Sequence, residues 1–245
     1  MSARVTLATA QRVLTQLRRD HRTMALMLVV PVLLLTLLRY VFNDQPLVFD
    51  RVGGPVLALF PFTTMFLVTS IAMLRERTSG TLERLLTTPL RKPDLLFGYA
   101  LAFGVVAVVQ TTLASGVALG LLGLDVAAAP GWVVLLAVLD ALLGMALGLF
   151  LSAFARSEFQ AVQFLPGFVF PQLLLCGLFA QRATMAAPLR WLSDVFPLTY
   201  AVDGMQHLAG AATVGGVFLR DLAIVAGCSV LALLLGSATL QRRSA

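Results

Sequence analysis

The chain has 245 residues, of which 59% are hydrophobic and only 12% are charged, about half the charged fraction of a soluble domain. Its mean hydropathy is +0.91, and its formal net charge is +6. Several uninterrupted apolar stretches reach the roughly 20 residues that a helix needs to cross a bilayer. Since a spanning segment must satisfy its own backbone, the composition predicts an all-α integral membrane protein and excludes a soluble domain.

Six transmembrane helices are predicted within a domain at 24–245. They cover residues 24–42, 55–74, 95–122, 132–154, 161–180 and 219–240. With the N-terminus inside, 13 of the 18 Lys and Arg residues lie on the cytoplasmic side. This excess predicts a multi-pass protein with both termini cytoplasmic. It also accounts for the positive charge without nucleic acid, since no basic stripe with interleaved aromatic residues occurs.

Residues 1–23 are predicted to form an amphipathic interfacial helix. Leu7, Ala10, Leu14 and Leu17 recur at helical spacing and are accompanied by arginines. Such a helix would lie on the inner membrane surface, with Arg12, Arg18 and Arg19 reaching anionic head groups. The alternative is a frayed tail. The sequence favours the helix, because the stripe runs directly into the first apolar segment.

Residues 181–218 are too polar to span and too apolar for an ordinary loop. Prolines interrupt the apolar stripe, and Trp191 and Tyr200 are residue types typical of a membrane interface. We expect short re-entrant helices in the outer leaflet.

A few polar residues lie within the predicted spans, where they are costly and rarely face lipid. They are Asp140, Gln110, Gln163 and Gln172, with Arg39 in the outer half of the first span. Asp140 could belong to a substrate or proton path, or it could form an ion pair with Arg39. We favour the ion pair. Small residues also recur at packing distance, as Gly144 with Gly148 and as Gly116 with Gly120.

Catalytic and cofactor chemistry is not indicated. Lys92 is the single lysine and precedes Pro93, so the chain cannot carry a Gly-Lys-Ser/Thr phosphate loop. The two histidines are far apart, and the two cysteines lie in apolar runs without metal-ligand spacing. We therefore expect no catalytic residue, no metal and no cofactor on this chain.

The most informative segment is RERTSGTLERLLTTP at about 75–89. Gly80 permits a turn, Thr81 can cap a helix, and Pro89 ends it. Leu82, Leu85 and Leu86 fall on one face of this short helix. Positive-inside topology needs only the arginines, whereas Glu76 and Glu83 add nothing to it. The apolar face therefore needs a partner.

This segment resembles the most characteristic stretch of the ABC-2 type permeases, the membrane subunits of bacterial ABC exporters. The resemblance is carried by Glu76, Gly80, Thr81, Leu82, Glu83, Leu85, Leu86, Thr88 and Pro89. It extends to RRDHRTMALMLVVPVLLLTL and to PLRWLSDVFPLTYAVDGMQHL, and PLTYAVDGM is most similar to the daunorubicin-exporter branch. Thr78 and Ser79 stand where a further charged residue is common in the family.

The resemblance implies a cytoplasmic coupling helix that inserts into a separate ATPase subunit. ATP and Mg would bind to that partner, which would be present in two copies. Two permease chains, identical or related, would form a path for a drug-like or lipid-like cargo in the plasma membrane of a bacterium. Two rival hypotheses are a proton-coupled secondary transporter that uses Asp140 and a membrane-embedded enzyme. The first leaves the loop motif unexplained, and the second lacks a visible nucleophile or metal cluster.

Overall fold

The computed structural model describes residues 2–79 and 92–239, and these form a helical bundle. Five helices within these ranges are long and apolar enough to cross a membrane: His21–Val41, Pro46–Thr78, Pro93–Gly120, Pro130–Phe154 and Gly216–Thr239. The prediction of an all-α integral membrane protein is thereby confirmed.

The helices are numbered here in chain order. They are α1 (Ala3–Arg19), α2 (His21–Val41), α3 (Pro46–Thr78), α4 (Lys92–Gly120), α5 (Pro130–Leu151), α6 (Glu158–Phe164), α7 (Phe170–Leu175), α8 (Ala187–Val195), α9 (Pro197–Gly210) and α10 (Gly216–Thr239). Three of these helices, α3, α5 and α9, begin at a proline, whose fixed φ suits the first helical position. The end of the bundle that carries α1 and the last turn of α3 is called the inner end, and the opposite end the outer end.

The predicted span at 161–180 differs from the other five. It is built from α6, a π-helical segment Leu165–Val169 and α7, and the helix ends at Leu175. Pro166 and Pro171 lie within this stretch and cannot donate a backbone hydrogen bond, which interrupts the regular α-helical ladder. A hydropathy average runs across both prolines, so the sequence predicted one unbroken span.

The core of the bundle is the contact between α3 and α5. Phe62 and Phe66 of α3 are fully buried. A Cβ atom at Gly144 of α5 would overlap the backbone of Phe62, and one at Gly148 would overlap the carbonyl oxygen of Phe66. The two helices therefore approach each other closely only because these positions have no side chain.

The second predicted glycine pair lies in a different environment. A Cβ atom at Gly116 or Gly120 on α4 would meet nothing within 4 Å. Helices α2 and α10 are also largely uncovered, because only 17% and 22% of the residues in their most apolar 18-residue stretches are buried. Such apolar outer faces suit contact with lipid acyl chains or with another membrane protein.

The outer segment is a pair of short helices tied to the bundle by polar contacts. Arg182 forms ion pairs with Asp194 of α8 and Asp203 of α9. Ser193 donates a hydrogen bond to the carbonyl oxygen of Leu175, 2.9 Å away, which joins α8 to the end of α7. Trp191 is exposed on α8. Two short helices, α8 and α9, are thus present in the 181–218 segment, and their place in the outer leaflet stays a prediction.

Candidate functional site at the inner end

The last turn of α3 carries Arg75, Glu76 and Arg77, which are three consecutive charges with three different partners. They stand directly before the segment that the sequence predicts to be a coupling helix. Residues 80–91 lie outside the described residues, and with them Gly80, Thr81, Leu82, Glu83, Leu85, Leu86 and Pro89. The site described here is therefore the anchoring end of that segment.

Glu76 is buried and has a partner within the chain. Its Oε1 accepts a hydrogen bond of 2.8 Å from Nη2 of Arg12 on α1, and the two side chains form an ion pair. The same Nη2 lies 3.4 Å from the hydroxyl oxygen of Tyr99 on α4. One guanidinium group thus connects α1, α3 and α4. The resemblance places Glu76 in a motif that contacts a separate ATPase subunit, whereas here its carboxylate is paired with Arg12 of α1.

Helix α1 packs on α4 through a narrow face of small residues. Thr6, Thr9, Ala10 and Val13 are buried. A Cβ atom at Gly98 of α4 would lie 2.6 Å from the side chain of Thr9, so this close approach requires a glycine. Of the predicted stripe, Ala10 is buried and Leu14 and Leu17 pack against the core, whereas Leu7 is exposed.

The prediction for Arg12 needs correction. It was expected to reach a lipid head group, but its guanidinium is directed to Glu76 inside the protein. Arg18 and Arg19 are exposed at the end of α1. The attraction between a half-buried arginine and a buried carboxylate is stronger than that between the same charges in water, because the local dielectric constant is lower.

A second anchor of α1 lies in the first turn of α4. Asp94 is buried, and its Oδ1 accepts a hydrogen bond of 2.8 Å from the backbone N–H of Ser2. The hydroxyl of Thr6 also donates to this oxygen, at 3.3 Å. Helix α1 is therefore fixed to α4 at both its start and its middle.

The other two charges of the α3 turn bind Ser152, just after α5, and Glu158, the first residue of α6. Arg75 donates two hydrogen bonds to Glu158, from Nε at 2.7 Å and from Nη2 at 3.0 Å. Arg77 donates to the carbonyl oxygen of Ser152. The hydrogen bonds from Arg75 lower the pKa of Glu158 below its ordinary value. The turn is thus held by α1 on one side and by residues 152–158 on the other.

The intramembrane ion pair predicted between Asp140 and Arg39 does not form. Both carboxylate oxygens of Asp140 are buried without a hydrogen-bond partner among the described residues. Arg39 instead donates from Nε to the carbonyl oxygen of Leu122 at 3.0 Å, and its guanidinium lies 5.4 Å from the ring centre of Phe49. At the outer end the cation therefore contacts a carbonyl oxygen and an aromatic ring, while its Nη1 has no hydrogen-bond partner among the described residues.

The three predicted intramembrane glutamines lie in different environments. Gln110 on α4 is fully buried, and neither of its amide atoms has a partner in the described part of the chain. Gln172 on α7 is buried, and its Nε2 donates to the carbonyl oxygen of Phe168 at 3.3 Å. Gln163 on α6 is exposed. Of the three, only Gln163 faces outward, so the structure does not gather them into one site.

The described residues define a class of protein: a multi-pass, all-helical membrane protein whose inner end is fixed around the last turn of α3. The chain belongs to the ABC-2 type transporter family, whose sequence profile matches residues 4–209. This match includes the RERTSGTLERLLTTP segment and the helices that flank it.

Curated relatives agree with this assignment. The chain is 26% identical over 166 residues to ABC transporter G family member 20 of Dictyostelium discoideum, covering 68% of this chain and 23% of that protein. It is 25% identical over 166 residues to the probable multidrug ABC transporter permease YbhS of Escherichia coli K12, covering 67% and 44%. For YbhR of the same organism the identity is 26% over 157 residues, covering 60% and 43%. The matched part is thus less than half of each relative.

Proposed function

We propose that this chain is the membrane subunit of an ATP-driven exporter. The observation that carries the proposal is the ABC-2 family match over residues 4–209, which includes the predicted coupling segment. In this proposal ATP and Mg bind to separate ATPase subunits, present in two copies, and this chain supplies the translocation path. The protein would lie in the plasma membrane of a bacterium, with both termini in the cytoplasm.

The anchoring of the 80–91 segment supports a coupling role. A segment that transmits force must be held firmly where it enters and leaves the membrane domain. Before it, Arg75, Glu76 and Arg77 bind three separate elements. After it, Asp94 binds the start of α1. Displacement of this segment by a partner would therefore move α1, α3 and α4 together, rather than only a surface loop.

The uncovered faces support assembly with a second permease chain. Gln163 exposes its amide on α6, within residues 161–170, whose other side chains are apolar. A polar amide in contact with lipid is unfavourable, because nothing there can hydrogen-bond with it. We therefore assign this face to a contact with the second chain or to the path between the two chains.

Two observations support the proposed class of cargo: the apolar composition of the uncovered helix faces and the names of the relatives. Two of the relatives are named as probable multidrug permeases. We propose a drug-like or lipid-like hydrophobic cargo. In the proposed cycle, closure of the ATPase subunits on ATP moves the coupling segments and opens the shared path to the outside, as a rigid-body transition between two states.

A second candidate is a proton-coupled secondary transporter. The observation that favours it is Asp140, whose carboxylate is buried without a partner among the described residues. An ionisable group at this depth is expensive unless it serves a purpose. The two candidates differ in their energy source, because one needs ATP and the other needs a proton gradient.

The experiment is transport in proteoliposomes that contain this chain, with and without its cognate ATPase subunit. Our proposal predicts uptake of a fluorescent hydrophobic cargo that requires both subunits and ATP, is blocked by vanadate and is insensitive to an uncoupler. Transport by this chain alone that an uncoupler abolishes would favour the secondary transporter instead.

A further inference from the structure

The end of α3 and the start of α6 form one packed unit. Leu74, Ala155 and Ala161 are buried together at the inner end, and Ile71 and Phe164 pack against them. This small apolar cluster includes residues from α3, from the connection after α5 and from α6. Burial of shared apolar surface favours movement of these elements as one body.

Polar contacts join the same elements on the surface of this cluster. Arg75 of α3 binds both carboxylate oxygens of Glu158, the first residue of α6. Such a two-point contact fixes direction as well as distance, because the guanidinium and carboxylate planes must align. Ser157 caps α6 by accepting a hydrogen bond from the backbone N–H of Gln160 at 3.2 Å. The first turn of α6 is thus oriented by α3.

The far end of this interrupted helix is held by a different part of the molecule. Helix α7 ends at Leu175, whose carbonyl oxygen accepts a hydrogen bond from Ser193 of the outer helix α8. Between the two anchors lies the π-helical segment Leu165–Val169, which contains Pro166 and Gly167. A Cβ atom at Gly167 would meet nothing within 4 Å. Kinks and π-segments of this kind are the places where helices bend.

We propose that Arg75 and Glu158 are positioning residues, through which movement of the segment after α3 is transmitted to α6. The π-helical segment then serves as the hinge that lets α6 turn while α7 stays fixed at the outer end. The inference rests on the proposed function, since an ATPase subunit supplies the movement. It extends that function by naming a second connection, besides the coupling helix itself, between the ATPase and the face that carries Gln163.

The first test uses the full chain alone in lipid nanodiscs and does not depend on an ATPase. Hydrogen exchange of the backbone amides in α6 is measured for the parent, Arg75→Glu, and the swapped pair Arg75→Glu with Glu158→Arg. We expect exchange in α6 to become about two- to five-fold faster in the single variant, as for loss of an exposed ion pair. The swap should restore it.

A matched control is available in the same connection. Arg156 is exposed, and its side chain makes no hydrogen bond or ion pair within the described ranges. Arg156→Glu changes the charge by the same amount as Arg75→Glu but should leave exchange in α6 unchanged. Unchanged exchange in Arg75→Glu, or failure of the swap to restore it, overturns the inference.

The second test measures the cargo transported per ATP hydrolysed, with the ATPase subunit present. We expect Arg75→Glu to reduce this ratio several-fold while co-purification with the ATPase is retained, and we expect the charge swap to restore the ratio. A normal ratio in Arg75→Glu overturns the positioning role. Absence of ATP-dependent transport in the parent would overturn the proposed function, and the coupling role with it. The hydrogen-exchange result would still show whether Arg75 of α3 orients α6.

Discussion

The contact between Glu76 and Arg12 yields a prediction that separates two explanations of the same residue. If Glu76 binds an arginine of the ATPase, a variant with reversed charge at this position loses ATPase binding, and only a compensating charge change in the ATPase can restore it. If Glu76 acts by fixing α1, a compensating change within this chain is sufficient. The structure favours the second explanation, because the carboxylate already accepts a hydrogen bond of 2.8 Å from Arg12.

The size of the effect follows from the burial of the two side chains. The Glu76 side chain is 11% exposed and that of Arg12 is 30% exposed. Exposed ion pairs contribute about 0.2–1 kcal/mol, and loss of one partner of a fully buried pair costs about 3–5 kcal/mol. We therefore expect Glu76→Gln to lower the free energy of unfolding by about 1–3 kcal/mol, between those limits.

The assay is a double-mutant cycle with Arg12→Met and Glu76→Gln, followed by unfolding in detergent. We expect a coupling energy of about 1–2 kcal/mol. In parallel, Glu76→Arg should lose binding to the ATPase subunit, and the swap with Arg12→Glu should regain it. A coupling energy near zero, or a swap that binds no better than the single variant, would refute this explanation of Glu76.

Three further predictions follow from the packing and the charges. Gly144→Leu should destabilise the bundle by about 3 kcal/mol or more, because α3 leaves no room there. The control Gly116→Leu should have little effect on thermal unfolding in detergent, and equal effects of the two variants would contradict the packing. Asp140→Leu should unfold at the same or a higher temperature than the parent, since it removes a buried carboxylate without a partner among the described residues, and a marked loss of stability would reveal a partner. Glu158 should titrate below the ordinary glutamate pKa, because Arg75 stabilises its charged form. Its contribution to stability is therefore present above the ordinary pKa and disappears as the pH falls through the lowered pKa. In carboxyl NMR, Arg75→Gln should raise the pKa of Glu158, and an unchanged pKa would contradict the contact.

The long apolar elements could be predicted from the sequence because their signal is local. Each of the five continuous spans is a run of apolar residues of sufficient length, and its hydropathy does not depend on its neighbours. The close packing at Gly144 and Gly148 was likewise visible as a spacing of small residues. That spacing did not distinguish it from Gly116 and Gly120, which meet nothing within 4 Å. Only the arrangement of the helices separates the two pairs.

The polar contacts of the inner end could not be predicted in the same way. Arg12 and Glu76 are 64 residues apart, Arg75 and Glu158 are 83 apart, and Ser2 and Asp94 are 92 apart. Such pairs depend on how α1, α3 and α6 are placed, which helical periodicity does not encode. Two local signals were present, however. Three consecutive charges ended an apolar helix, and an aspartate stood at the start of the next one.

The interruption of the predicted span at 161–180 is indicated by two prolines in the sequence, which mean hydropathy does not take into account. Pro166 and Pro171 are five residues apart within it. Each removes a donor from the helical ladder, and together they leave the π-helical segment Leu165–Val169. This proline spacing favours two short helices over one unbroken span.

The central claim is that this chain is moved by an ATPase through the segment that follows α3. The most direct measurement is cysteine cross-linking between Leu85→Cys and the cognate ATPase subunit, combined with vanadate-sensitive export in the same vesicles. We expect the cross-link to form and to stop transport, and we expect its reduction to restore transport. Transport that proceeds without the ATPase, or a normal transport rate while the cross-link is intact, would show that the ATPase does not move this chain through that segment.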